Sequence, residues 1–585
     1  MNIESNQKIN IRFSDSQNNF LKDPKSTEKR STSFLQSVKR VSFKHEANDL
    51  NDYYTERLLP QKYSMQGPGI AAGDANNDGL DDIIISSDRA KPKVLLVQQT
   101  DGTFNKTQIA NGEGTMGVLG TSSLFFDYDG DNDLDLYTGY GGNLYLDQDP
   151  KYADRIYKNN GSGTFTLDEV ALPKFFESTS SVTAADYDKD GDLDLFVAGR
   201  VKPKNFPLSP KSYLLENVNG IFKDVSYLLP KGNEQGMVSQ ALWTDFNNDG
   251  LVDLIIVGDM MPITFLKNNG NNFEDVTHIS GIETYFGLWN SISGGDFDND
   301  GDIDYIVGNI GGNNPYKPSI GEPIEWFVSD FDKNGSIDAV MTYYNHGKRV
   351  PVHPRDQLIE QLPFIKKRFP DYEGYAKATL NDIFTSKELA TAKNFKTNYL
   401  LNSYVENLGS GKFSIKPLPI EAQFSSIFGT IVIDINNDDN LDIITQGNNY
   451  APQVQMGQYD ASIGAIFIGN GKGGFINLKP SASGFYVPGD ARAIALLRSA
   501  QDETMIVSTR HNDSLSMFTL KNYFNIPLKP SDKDGILELG NGKTRKVEFY
   551  FGQGHLSQST RYFNISKNSK LTIQSFNGTK RKIQP

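Results

Sequence analysis

The chain has 585 residues and a mass of 65.1 kDa, with a formal net charge of -14 and a pI near 5.1. That acidity excludes a binder of nucleic-acid backbone, which needs a basic face, and the absence of cysteine excludes disulfide stapling and thiol chemistry. The length leaves room for several domains and a large core.

In chain order, Met1 to Asn19 is polar and has no apolar stretch of the kind a signal peptide carries, and no transmembrane span is visible. Either the chain stays inside the cell, or it is a piece of a longer exported protein that has lost its leader. Residues 1–37 are set apart as an N-terminal extension, read as the end of a preceding module.

From residue 74 a nine-residue acidic loop recurs seven times, each copy running into an apolar, strand-like stretch. Its form is Asp-x-(Asp/Asn)-x-(Asp/Asn)-(Gly/Asn/Asp)-x-x-Asp. Side chains 1, 3, 5 and 9 and the carbonyl of 7 can converge on one centre, which supplies the hard oxygen ligands that Ca²⁺ takes. The candidate ligands are Asp74, Asn76, Asp78, Leu80 and Asp82 in the first loop, and Asp127, Asp129, Asp131, Asp133 and Asp135 in the second. The third has Asp186, Asp188, Asp190, Asp192 and Asp194; the fourth has Asp245, Asn247, Asp249, Leu251 and Asp253. The fifth has Asp296, Asp298, Asp300, Asp302 and Asp304, and the sixth Asp330, Asp332, Asn334, Ser336 and Asp338. The seventh has Asp434, Asn436, Asp438, Asn440 and Asp442. Position 6 is Gly79, Asn132, Gly191, Gly250, Gly301, Gly335 or Asp439, all types that tolerate the left-handed backbone a sharp reversal needs. Up to seven structural Ca²⁺ sites are therefore expected.

The loop starts lie 53, 59, 59, 51, 34 and 104 residues apart. A period of this size indicates repeated small sheets. Within it come three strands, a Gly-containing turn and Phe, as in Asn219-Gly-Ile-Phe222, which describes four strands per unit. The expected fold is all-β: a seven-bladed β-propeller over residues 38–525, or eight-bladed if the Asp330 loop heads its own blade. The irregular spacing is read as an insertion in the fifth blade at 311–396, helical at 355–396. The last blade, near Ala491 to Leu520, lacks a clear fourth strand, and Val41–His45 or Tyr53–Leu59 is expected to supply it and close the ring. From 526 to 585 the period changes to that of a small separate β domain.

The acidic loop, the apolar strand after it and the Gly turn leading into Phe resemble the FG-GAP/VCBS-type repeats of integrin α-like propellers, over roughly residues 65–520. The tail, Gly552-Gln-Gly-His-Leu-Ser-Gln-Ser-Thr-Arg561 with Asn577-Gly-Thr-Lys-Arg-Lys582, resembles the ASPIC/UnbV module of cartilage acidic protein-like chains. Lys8-Ile-Asn-Ile-Arg-Phe13 resembles the end of another such module. The resemblance implies a secreted or cell-surface calcium-binding repeat protein used in adhesion, recognition or assembly, with an unidentified glycan or protein ligand.

On the face opposite the acidic loops, Arg200, Asp259, Asn309, Asn448 and Arg510 follow the second strands and would converge on the channel mouth, a candidate ligand rim. Enzyme signatures fail. Gly469-Asn-Gly-Lys-Gly-Gly474 matches a dinucleotide fingerprint by letter but runs into strand, and Gly542-Lys-Thr544 has Leu537 where a phosphate loop needs Gly. The six histidines lack zinc-site spacing. No catalytic residue is assigned. The reading is a non-enzymatic adhesion or recognition module; the alternatives are a polysaccharide-active enzyme or its accessory subunit using the channel mouth, and a structural subunit of a larger assembly.

Overall fold

In a computed structural model the described residues are 33–47, 50–86, 93–109, 119–520, 524–566 and 569–584. The Lys8–Phe13 segment and most of the N-terminal extension lie outside them. Each acidic loop joins two antiparallel strands, and the strand after it pairs with a third. In the third sheet the order is Ser178–Ala185, Asp194–Val201, Tyr213–Val218 and Ile221–Asp224. Its last hairpin turns on Asn219 and Gly220, both with positive φ (55° and 82°), the two-residue geometry that suits the strand twist.

Six further sheets repeat this plan. Their first strands are Ile70–Gly73, Leu119–Phe126, Met237–Thr244, Ser291–Gly295, Gly429–Ile433 and Ala491–Arg498. Strand residues are buried on both faces because neighbouring sheets pack face to face, sandwich fashion. Leu124, Tyr137 and Ile156 of the second sheet share a core with Val182, Leu195 and Leu215 of the third. Ile83 and Leu96 of the first share one with Leu497 and Met505 of the seventh.

The seven-bladed propeller expected from the sequence, with eight blades as the alternative, is corrected by this topology. Every sheet has two free ends in its strand order, and none is closed into a barrel or propeller. What the described residues form is an all-β, multi-sheet architecture of sandwich-like repeat modules with a small helical insertion. The physical reason is that a 50 to 60 residue period with hairpin turns specifies the four-stranded module, whereas closure depends on contacts far apart in sequence that the period does not encode.

The insertion interrupts the fifth sheet between Asp304–Gly308 and Ser403–Asn407. Its acidic loop, Asp330 to Asp338, heads a four-stranded sheet of its own, ordered Lys348–Pro351, Asp338–Asn345, Ile324–Ser329, Lys393–Thr397. Five short helices follow between Arg355 and Thr391, and the stretch expected to stay helical to 396 ends in the last of these strands. Leu358, Leu362, Ile365, Leu380 and Ile383 bury the helices against Phe327, Phe331 and Val340. The fourth strand of the seventh sheet is Gln36–Val38, not either expected segment; only Lys44 nearby makes an isolated bridge, to Ser514.

The tail forms a four-stranded sheet, Thr544–Glu548, Asp532–Glu538, Lys570–Ser575 and Lys580–Ile583, and a two-stranded ribbon. Between them, Tyr550 to Thr560 threads among the first strands of the repeat sheets. The Leu556 carbonyl accepts from Ile70 N–H (2.9 Å) and the Phe551 carbonyl from Ala184 N–H (3.1 Å). Gly554 N–H donates to the Ile292 carbonyl (3.2 Å), and the Ser557 and Ser559 hydroxyls accept from the N–H of Ile494 and Leu496. Gln558 accepts from Phe125 N–H (2.7 Å) and donates to the Phe125 carbonyl (2.8 Å). One peptide thus satisfies backbone groups buried on five sheets, groups that would otherwise be costly to leave unpaired.

Candidate metal centres

All seven loops share one internal geometry. The N–H of position 7 donates to the position 5 side chain in Leu80, Asp133, Asp192, Leu251, Asp302, Ser336 and Asn440, at 2.7 to 3.2 Å. Position 6 has positive φ in every copy, including Asn132 (68°) and Asp439 (67°). Position 4 does too: Asn77, Gly130, Lys189, Asn248, Asn299, Lys333 and Asn437. That second left-handed residue was not expected, and only its frequent Asn or Gly could have signalled it.

Four loops bring three or more carboxylates within 4.8 Å of one another: Asp127, Asp129, Asp131 and Asp135; Asp186, Asp188 and Asp194; Asp296, Asp298 and Asp300; and Asp330, Asp332 and Asp338. The loops at Asp74, Asp245 and Asp434 have Asn at position 3. In two of them that amide turns onto a carboxylate, Asn76 to Asp78 (3.0 Å) and Asn436 to Asp438 (2.9 Å), so fewer carboxylates face one another. Clusters of acidic residues able to coordinate a cation are therefore present.

The donor set fits a hard cation. It is all oxygen, and among the described residues Asp129 Oδ1, Asp133 Oδ1, Asp186 Oδ1, Asp192 Oδ1, Asp245 Oδ1 and Asp253 Oδ2 are buried without a hydrogen-bond partner. Burial, then neighbouring carboxylates, push the position 9 acids upward: Asp194 to about 9, Asp253 and Asp304 to about 8, and Asp82, Asp135 and Asp442 to about 7. A cation among them would reverse that pressure. In the second loop Lys158 contacts Asp129 and lies 3.2 Å from Asp131, a partial counter-charge at the rim.

Position 9 also pins the loop to its sheet. One oxygen of Asp135, Asp194, Asp253 and Asp304 accepts from the N–H of an Asn that ends the third strand, Asn159, Asn217, Asn268 or Asn407, at 2.7 to 2.8 Å. Each of these Asn side chains then donates to the position 2 carbonyl of the preceding sheet's loop: Ala75, Tyr128, Tyr187 and Phe246, at 2.7 to 2.9 Å. The loops are thus latched in series, a role sequence reasoning missed although the recurring strand-final Asn was its signal.

Of the candidate rim residues, two meet. Arg200 Nη2 lies 3.2 Å from Asp259 Oδ2, both are buried, and Tyr63 Oη donates to the same oxygen (3.2 Å). The others serve their own loops. Asn309 donates to the Tyr399 carbonyl, Asn448 to the carbonyls of Ser462 and Gly489, and Arg510 pairs with Asp513 at 2.7 Å.

Sheets and loops together define an acidic-cluster-bearing, all-β repeat protein. The FG-GAP-like repeat family matches residues 74–138, 144–197 and 245–307. The chain is similar to cartilage acidic protein 1 of Mus musculus, 28% identical over 226 residues, which cover 36% of this chain and 31% of that protein. It thus spans under a third of the length of the curated relative it matches. Among solved structures it is similar to an Agrocybe aegerita lectin described for recognition of non-reducing terminal N-acetylglucosamine, at 14% identity, with 71% of this chain and 80% of that chain covered and a TM-score of 0.37. It is also similar to the V. cholerae biofilm matrix protein Bap1, at 10% identity, 83% and 91% coverage and a TM-score of 0.34. Scores this low carry no argument about what the chain binds. No helix among the described residues is long and apolar enough to cross a membrane.

Proposed function

We propose that the chain is a calcium-stabilised recognition or adhesion module that works outside the cell or at its surface. The observation that carries this is that four loops gather three or four carboxylates within 4.8 Å, and that in the second and third of the seven loops buried carboxylate oxygens are also left without a partner. Bound Ca²⁺ would supply the positive charge that clustered acids need. Positions 1, 3, 5 and 9 would hold it, while the position 9 acid and the strand-final Asn transmit the order of one loop to the next sheet. A low-affinity extracellular module, with Kd of roughly 10⁻⁴ to 10⁻³ M, suits such exposed loops. In this reading the tail from residue 526 is an ASPIC/UnbV-like module that locks the repeats together, and the ligand is a glycan or protein.

The test is thermal unfolding and metal analysis of the purified chain, in millimolar calcium and after exhaustive chelation. Calcium at a hundred times Kd should stabilise each occupied site by about 2.7 kcal/mol, so chelation should lower Tm and readdition restore it. An unchanged Tm with no calcium retained on dialysis refutes the reading.

A further inference from the structure

Where the insertion sheet meets the third and fourth sheets there is a cavity of about 60 Å³, with Tyr63, Phe206, Met260, Tyr316, Trp326 and Met341 among its walls. It has room for about four water-sized groups. Two residues of its wall carry unusual polar atoms. Trp326 is fully buried and its Nε1–H has no acceptor, whereas the chain's other two indoles are satisfied, Trp243 by the Thr183 carbonyl (3.3 Å) and Trp289 by the Met261 carbonyl (2.9 Å). His353 is also buried, and its Nε2 accepts from Met341 N–H (3.2 Å), so its proton sits on Nδ1. That Nδ1–H lacks a partner as well. Gln357, whose amide oxygen accepts from Gln455 (2.7 Å), and the Ala339 backbone lie beside the ring, without the geometry of a hydrogen bond to Nδ1.

The chemistry of an occupant follows from these groups. Burial lowers the His353 pKa to about 4, so at neutral pH both free donors are uncharged. Asp259, also on the wall, is already bound to Arg200 and Tyr63 and disfavours a second anion. An ammonium would find donors where it needs acceptors. Each unpaired buried donor costs roughly 1–3 kcal/mol, which an acceptor oxygen would relieve, and thioether and aromatic walls favour an apolar body behind it.

We propose that this cavity binds a small, neutral, carbonyl-bearing compound, its oxygen accepting from Trp326 Nε1–H with His353 Nδ1–H as a second donor, and its apolar body against Phe206, Met260 and Met341. The inference does not depend on the calcium reading. It is tested on the full chain in millimolar calcium by following the three indole N–H resonances during titration with cyclopentanone and, separately, cyclopentane. The resonance missing from Trp326→Phe should move downfield with cyclopentanone and not with cyclopentane. Trp326→Phe, read by ligand-observed saturation transfer, should weaken cyclopentanone at least fivefold and leave cyclopentane unchanged, and Met456→Trp, which fills the cavity from the loop opposite, should abolish the Trp326 shift with cyclopentanone. A Trp326 resonance that stays fixed to saturating ketone, a water retained on the indole throughout, or ketone affinity unaltered in either variant overturns the proposal.

Discussion

Replacing Asn217 by alanine tests the latch between consecutive loops. Asn217 is fully buried and makes three side-chain bonds: Nδ2–H to the Tyr128 carbonyl (2.8 Å) and the Leu193 carbonyl (3.4 Å), and Oδ1 from Gly220 N–H (2.8 Å). Its own N–H to Asp194 survives the change. The truncation therefore strands the Tyr128 carbonyl inside the second loop and the Gly220 N–H in the hairpin turn. At roughly 1–3 kcal/mol for the buried Tyr128 carbonyl and about 1 kcal/mol for the half-buried Gly220 N–H, with Leu193 contributing little at its longer distance, the loss should be about 2–4 kcal/mol. Urea unfolding followed by tryptophan fluorescence in millimolar calcium measures it. Lys223→Ala, exposed in the same sheet, is the control and should stay within about 0.5 kcal/mol of the parent. Because Tyr128 follows the first ligand position of the second loop, Asn217→Ala should also speed hydrogen exchange around Asp127 to Asp135. A midpoint equal to the control's, with exchange unchanged there, would refute the latch.

Arg200→Ala should cost about 3–5 kcal/mol by leaving Asp259 charged and unpaired in the interior, and Arg200→Met with Asp259→Leu should recover most of it in the same assay; equal losses in both would mean the pair is not coupled. Gln558→Ala unpairs both backbone groups of buried Phe125 and should cost about 2–4 kcal/mol, with lost exchange protection at Phe125 N–H, whereas retained protection would show that the tail segment does not bear on the second sheet. Burial lowers the pKa of His555 to about 3, against about 6.5 unfolded, so the unfolded chain binds the extra proton between those values and stability falls as pH drops below 6.5. His555→Gln should therefore gain about 2 kcal/mol relative to the parent between pH 7 and pH 5, and parallel pH profiles would contradict this.

What could be read from the sequence was local. The acidic loop announces its own turn because its oxygens, its left-handed position 6 and the apolar strand after it lie within a dozen residues. The left-handed position 4 was harder, since Lys189 and Lys333 occupy it at φ of 67° and 62° and hide the Asn and Gly of the other copies. The insertion is visible as a break in the period, but Lys393-Asn-Phe-Lys396 reads as helix because a short polar edge strand carries little alternation to oppose its helix-forming neighbours. Pro354, Pro363 and Pro370 meanwhile cut the helical stretch into single turns, two of them standing at helix N-caps.

The long-range assembly was not legible, for a common physical reason. The latches join residues 81 to 161 positions apart, and Gln558 reaches Phe125 across 433. Such bonds depend on the packing of finished sheets, and a periodic sequence repeats the finished sheet without stating what it packs against. The candidate rim shows the same limit from the other side. Arg200 and Asp259 meet, but buried and against each other rather than on a channel mouth, and the cavity wall's unsatisfied donors are on Trp326 and His353. These belong to the insertion, which no repeat could align with the rim. If the cavity binds a carbonyl compound, recognition in this chain resides where the period is broken, and the repeats with their acidic loops serve to hold that break in place.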